Sequence, residues 1–82
     1  MISTTDNVYE FVHTVIRRCQ EEGFADIAQE LDDAMHLGSS GLEILGAIRA
    51  LLLRESQKIG DLVEQSELDD VIRFVNKAFG SE

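Results

Sequence analysis

Two pairs of residues in this chain have the types and spacing that could hold a metal: Glu10-Phe11-Val12-His13 and Asp33-Ala34-Met35-His36. A carboxylate and an imidazole three residues apart on a helix project from one face, and paired Glu-x-x-His helices are how di-iron carboxylate bundles bind their ions. Ligands in such bundles point inward. Here the surrounding apolar residues fix the inward direction, and Glu10 and His13 lie roughly 130° to 170° away from it by helical-period arithmetic, with Asp33 and His36 similarly displaced. Both pairs are expected to face water, so no metal is expected. One Cys and two scattered His make no zinc set. Cys19 falls on an apolar stripe, where a buried inert thiol is expected, and neither His has a Ser or Cys partner at diagnostic spacing. No catalytic residue, no cofactor and no enzymatic activity is expected.

The remaining functional signals are surfaces. Glu22, Asp26, Glu30 and Asp33 recur every three or four residues along one side of a helix, with Glu21 and Asp32 adjoining. Such a stripe keeps a protein soluble, but like charges at this spacing also weaken the helix, and a partner bringing Lys and Arg relieves that repulsion. A second acidic patch gathers Asp61, Glu64, Glu67, Asp69 and Asp70. Tyr9 and Phe74, at the edges of their apolar stripes, are candidate aromatic anchors.

Positioning these residues requires helices. After the candidate N-caps Ser3, Thr4, Thr5 and Asp6, Val8, Phe11, Val12, Val15, Ile16 and Cys19 follow at three- and four-residue spacing, and Gly23 suits a left-handed stop with Phe24 packing back. Phe24, Ile27, Ala28, Leu31 and Met35 form the core face of a second helix that ends at Gly38. The link is tight enough to imply an antiparallel hairpin. Ser40 and Glu43 stand in capping-box register and open a third helix running to about 58, with Gly60 as the stop. Residues 61–65 are a loop or a short turn of helix. Ser66 with Asp69 resembles a cap for a last helix whose core face is Leu68, Val71, Ile72, Val75 and Phe79, closed by Gly80. The expected fold is all-α: one domain over residues 1–82, a compact bundle of four short helices at approximately 4–22, 24–37, 40–58 and 66–80.

The third helix carries two apolar faces. Ile44, Leu45, Ile48, Leu51 and Leu52 gather on one, assigned to the core, while Leu42, Gly46, Ala50 and Leu53, with Arg49 beside them, form a second ladder. Either other helices cover both faces, or the second ladder is a homodimer interface at which Gly46 and Ala50 admit a close backbone.

The segment Leu37-Gly38-Ser39-Ser40-Gly41-Leu42-Glu43-Ile44-Leu45 resembles a Gly-Ser-Ser/Thr-Gly-x-Glu-Ile-Leu motif that opens a helix in small bacterial proteins. The resemblance covers about nine residues, implies a bacterial cytosolic helical protein and supplies no activity. The same turn loosely resembles the modification segment of acyl or peptidyl carrier domains, which implies Ser40 as a phosphopantetheine attachment point. However, Ser39 stands where a carrier has Asp or His, and Gly41 where it has Leu. An anion could also lie on the Gly38–Gly41 turn, although the acidic surroundings oppose it. In size, acidity and helicity the chain is similar to immunity proteins that neutralise nuclease toxins through carboxylates.

Charge sets the last boundary. Sixteen Asp and Glu against seven Lys and Arg give −9, which argues against nucleic acid, since affinity for phosphate backbones comes from basic side chains. The longest apolar run, Ala50 to Leu53, is far short of a bilayer span, so no membrane is expected. One Cys and no visible leader point to the cytoplasm. The expected function is a non-enzymatic acidic protein–protein interaction module, immunity-like or regulatory, that binds a basic partner protein. The alternatives are a carrier-like domain modified on Ser40 and a purely structural homodimeric subunit.

Overall fold

The computed structural model describes residues 2–37 and 40–80. Among the described residues five helices run in chain order: α1 (Thr5–Glu21), α2 (Ala25–Met35), α3 (Gly41–Arg54), α4 (Ser56–Gly60) and α5 (Gln65–Ala78). No strand occurs among the described residues, so the all-α expectation holds. No helix of the described chain is long and apolar enough to cross a membrane.

Helix α1 starts where Thr4, in extended conformation, accepts a hydrogen bond from the Asn7 amide at 3.2 Å while the Asn7 carboxamide oxygen accepts from the Thr4 amide, also at 3.2 Å. That reciprocal pair satisfies two otherwise free donors of the first turn. The helix ends in a Schellman arrangement. Gly23 adopts φ +85°, the Phe24 amide reaches the Cys19 carbonyl at 2.7 Å, and the Gly23 amide reaches Gln20 at 3.4 Å. The chain is thereby turned straight into α2, and α1 with α2 makes the most extensive helix pair of the fold. Helix α2 packs on α3, and α3 on α5.

Of the residues expected in the core, Val8, Phe11, Val12, Val15 and Cys19 of α1 and Ile27, Ala28 and Leu31 of α2 are buried, while Ile16, Phe24 and Met35 are only half-buried against it and Ala34, not expected there, is buried. Leu45, Ile48 and Leu52 close the core from α3, Ile59 from α4, and Leu68, Val71 and Val75 from α5. Among the described residues no polar or charged one is buried.

Several expectations are corrected. The third helix does not run unbroken to residue 58: Glu55 leaves helical geometry (φ −106°, ψ 24°) and α4 begins at Ser56, giving five helices in place of four. The hydrogen bonding bends without parting, because the Glu55 amide still donates to Leu51 and the Ile59 amide to Glu55, both at 2.9 Å. The last helix starts at Gln65 after Glu64, so Ser66 lies inside the first turn and the Ser66–Asp69 cap does not form. Asp69 instead accepts from the Gln65 side chain at 3.0 Å. Phe79, expected in the core, is the residue that closes α5 and remains 39% exposed, because the helix end carries it past the core onto the rim of α3. Ser40 caps α3 by accepting from the Glu43 amide at 3.2 Å, which is one half of the capping box. Gly38, expected to end α2, lies with Ser39 outside the described residues.

Candidate functional site

The charged side chains of the described residues therefore sit outside the apolar core, and the surfaces differ in how their charges are satisfied. Asp26, Glu30 and Asp33 of α2 are exposed, as the spacing requires, and so is Glu22, which closes α1 rather than belonging to α2. Their environments are unequal. Glu30 is held by Arg54 of α3, whose Nη2 lies 2.8 and 2.7 Å from its two carboxylate oxygens, and Arg54 Nε also reaches Glu55 at 3.0 Å. These hydrogen bonds, first to Glu30 and then to Glu55, raise the already high Arg54 pKa further. Asp33 accepts from the Gln29 side chain at 2.9 Å. Glu22 and Asp26 have no cation within 4.0 Å among the described residues. Along this stripe the carboxylates without an ion pair among the described residues are thus those at the α1–α2 turn, in the first turn of α2, and Asp33.

An aromatic residue stands beside those two free acids. Phe24 is half-buried, with the Lys58 ammonium of α4 5.6 Å from its ring centroid. A shallow depression holds Phe24, Asp26, Ile27 and Lys58 together, and an open groove of about 710 Å³ on the other side is lined by Phe24 and Leu62 with Arg17, Arg18, Glu22 and Lys58 among its charged rim. The Arg18 guanidinium is fixed there by the Leu62 carbonyl at 2.6 Å. Sequence reading assigned Phe24 to the core alone. The proposed anchors Tyr9 and Phe74 are both half-buried and pack against the core from α1 and α5, and Phe74 lines a groove that contains no α2 residue.

The second ladder of α3 is partly covered from within. The Phe79 ring lies against Gly46, close enough that a Cβ at that position would sit 3.1 Å from its Cζ. Arg49 covers the ring with its guanidinium 4.7 Å from the centroid and donates to the Asn76 carboxamide at 2.7 Å. The close approach that Gly46 permits is therefore made by this chain's own ring. Ala50, Leu42 and Leu53 remain exposed, the two leucines by 49% and 53%.

The metal-type pairs are on the surface. Glu10 and His13 are exposed, and so are Asp33 and His36. His36 closes α2, with Nδ1 2.8 Å from the Asp32 carbonyl. Among the described residues no group of three or more His, Cys, Asp or Glu side chains is placed to share an ion. Cys19 is fully buried, and burial first, then the nearby Glu55 charge, pushes its thiol pKa upward, which keeps it protonated. Ser40 is exposed at the start of α3, its oxygen engaged by the Glu43 amide.

The arrangement offers charge and apolar contact at open surfaces, the means of binding another macromolecule. Comparison of the chain with known protein families, with curated proteins and with solved structures finds no match.

Proposed function

We propose that this chain is a non-enzymatic interaction protein that binds a basic partner through the acidic edge formed by the α1–α2 turn and α2, with Glu22 and Asp26 as the charges and Phe24 as the apolar centre. The observation that carries the reading is the unequal pairing along the stripe: Glu30 is held by Arg54, while Glu22 and Asp26 make no ion pair among the described residues and stand beside a half-buried ring. Uncompensated carboxylates accelerate encounter with a cationic surface, and an aromatic ring at the centre of the contact supplies affinity. Neutralisation of a toxin is one concrete instance, and a regulatory subunit is another. Glu30 and Asp33 take a secondary part because each already has a hydrogen-bonding partner.

Titration with a labelled lysine-rich helical peptide carrying one aromatic residue tests the reading at low salt. The Glu22→Gln, Asp26→Asn double variant should weaken binding at least fivefold with an unchanged circular dichroism spectrum. Arg54→Ala should strengthen it by releasing the Glu30 charge. Equal affinity for all three proteins removes the reading.

A second reading is favoured by the exposure of Leu42 and Leu53 on one side of α3. It pairs two copies of the chain through the ladder of Leu42, Gly46, Arg49, Ala50 and Leu53, extended by the Phe79 ring that fills the Gly46 notch. Apolar side chains of this size left in water on a small domain are the usual material of such contacts.

A further inference from the structure

One groove on this acidic molecule has the opposite character to its surroundings. It is open, about 470 Å³, and lies between the N-terminal segment and α5, lined by Ile2, Ser3, Asp70, Arg73, Phe74 and Lys77. Ile2 and Phe74, both half-buried against the core, provide its apolar lining. Asp70, Arg73, Phe74 and Lys77 are spaced three, four and seven residues apart, so they share one side of α5. Arg73 donates to Asp70 at 3.1 Å and cancels that acid. Lys77 has no carboxylate within 4.0 Å among the described residues, although the chain holds sixteen acids.

Among the described residues the groove thus carries one positive charge without an ion-pair partner, on a chain of net charge −9. Ile2 also marks a boundary. The neighbouring groove that shares it is lined by Glu10 and Glu67 with no base. Lys77 complements the carboxyl end of α5, which accounts for a cation at that height. It does not account for a half-buried aromatic ring lining the same groove beside that cation.

We propose that this groove docks an acidic segment of a partner protein that presents one bulky apolar side chain flanked by carboxylates. The apolar side chain lies on Ile2 and Phe74, and the flanking carboxylates meet Lys77 and the outer donors of Arg73. Charge complementarity selects this occupant. A basic segment is repelled here and attracted to α2, and a membrane surface needs a broad cationic face, which Glu67 and Asp69 on the same helix deny. No α2 residue lines the groove, so this proposal stands or falls separately from the α2 reading.

The test uses the full chain and a labelled synthetic peptide with one phenylalanine between pairs of glutamates, followed by fluorescence anisotropy and by amide chemical shifts. Saturable binding is expected, with shifts centred on Ile2, Phe74 and Lys77. Lys77→Glu should weaken it at least tenfold without changing the urea midpoint appreciably, and replacing the phenylalanine by alanine should weaken it similarly. The proposal is overturned if the peptide does not bind, if a lysine-flanked version binds as well, if free glutamate competes as effectively as the peptide, or if the shifts fall on α3 around Leu42 and Leu53.

Discussion

At the scale of single residues, two glycines make opposite demands. Gly23 has φ +85° with open space around it, so a methyl group there meets no atom but forces an L-residue into the left-handed region. That conformation costs roughly 1–2 kcal/mol for a residue with a Cβ, and Gly23→Ala should lower the unfolding free energy by about 1 kcal/mol. Gly46 is in the interior of α3 at ordinary helical φ, where Ala is favoured over Gly by about 0.8–1.0 kcal/mol. The only obstacle is the Phe79 ring, 3.1 Å from the added Cβ, and that ring is at a helix end and partly in water, free to move a few tenths of an ångström. Gly46→Ala should therefore be neutral or stabilising by up to about 1 kcal/mol. Urea titrations of the two variants read the contrast directly. A loss at Gly46 as large as at Gly23 would mean that Phe79 is held rigidly. The exposed position of both histidines and of the α2 carboxylates is legible in the sequence, because it depends only on the angle from an apolar stripe. The Arg54–Glu30 contact is not, since it joins residues twenty-four apart and depends on how α2 and α3 pack.

At the scale of elements, α1 and α2 follow from local signals that agree: a cap at Thr4, helical spacing of apolar residues, and a glycine at the turn. The bend at Glu55 has no such signal. Neither Gly nor Pro is present there, and the apolar spacing continues from Leu52 to Ile59 as though α3 were unbroken. Sequence periodicity reports which residues are inside but not whether the axis between them is straight. Similarly, Phe79 has the right spacing for the core face of α5, yet its place at the end of the helix puts it on the rim over Gly46. A helix as short as α4 cannot be stable by propensity, because nucleation alone is unfavourable over five residues. Its stability is expected to come from Ile59, fully buried within the core. Ile59→Ala should then cost about 2–5 kcal/mol, the range for a large core aliphatic cut to alanine, while Gln57→Ala on the exposed side should change stability by less than about 0.5 kcal/mol. Comparison of their thermal or urea unfolding checks the assignment. Similar small effects from both would show that α4 is a frayed appendage rather than part of the core.

At the scale of the whole molecule, the radius of gyration of 11.7 Å is what a compact chain of this length adopts, at about 12 Å. The net charge of −9 then separates the two modes of association by their response to salt. Two like-charged copies must approach against mutual repulsion, and screening that repulsion favours contact between the Leu42 and Leu53 ladders. A basic partner at Glu22 and Asp26 is attracted by unscreened charge, so screening opposes it. Raising the ionic strength from about 0.01 M to about 0.5 M shrinks the screening length from about 30 Å to well under 10 Å, a range that spans the size of this molecule. Sedimentation equilibrium should accordingly show self-association that strengthens with salt and is abolished by Leu42→Asp with Leu53→Asp. Binding of a cationic peptide should weaken with salt and be indifferent to those substitutions. A chain that remains monomeric at high salt and high concentration excludes the α3 interface, and a dimer that dissociates as salt rises places the contact on charged groups instead of the leucines.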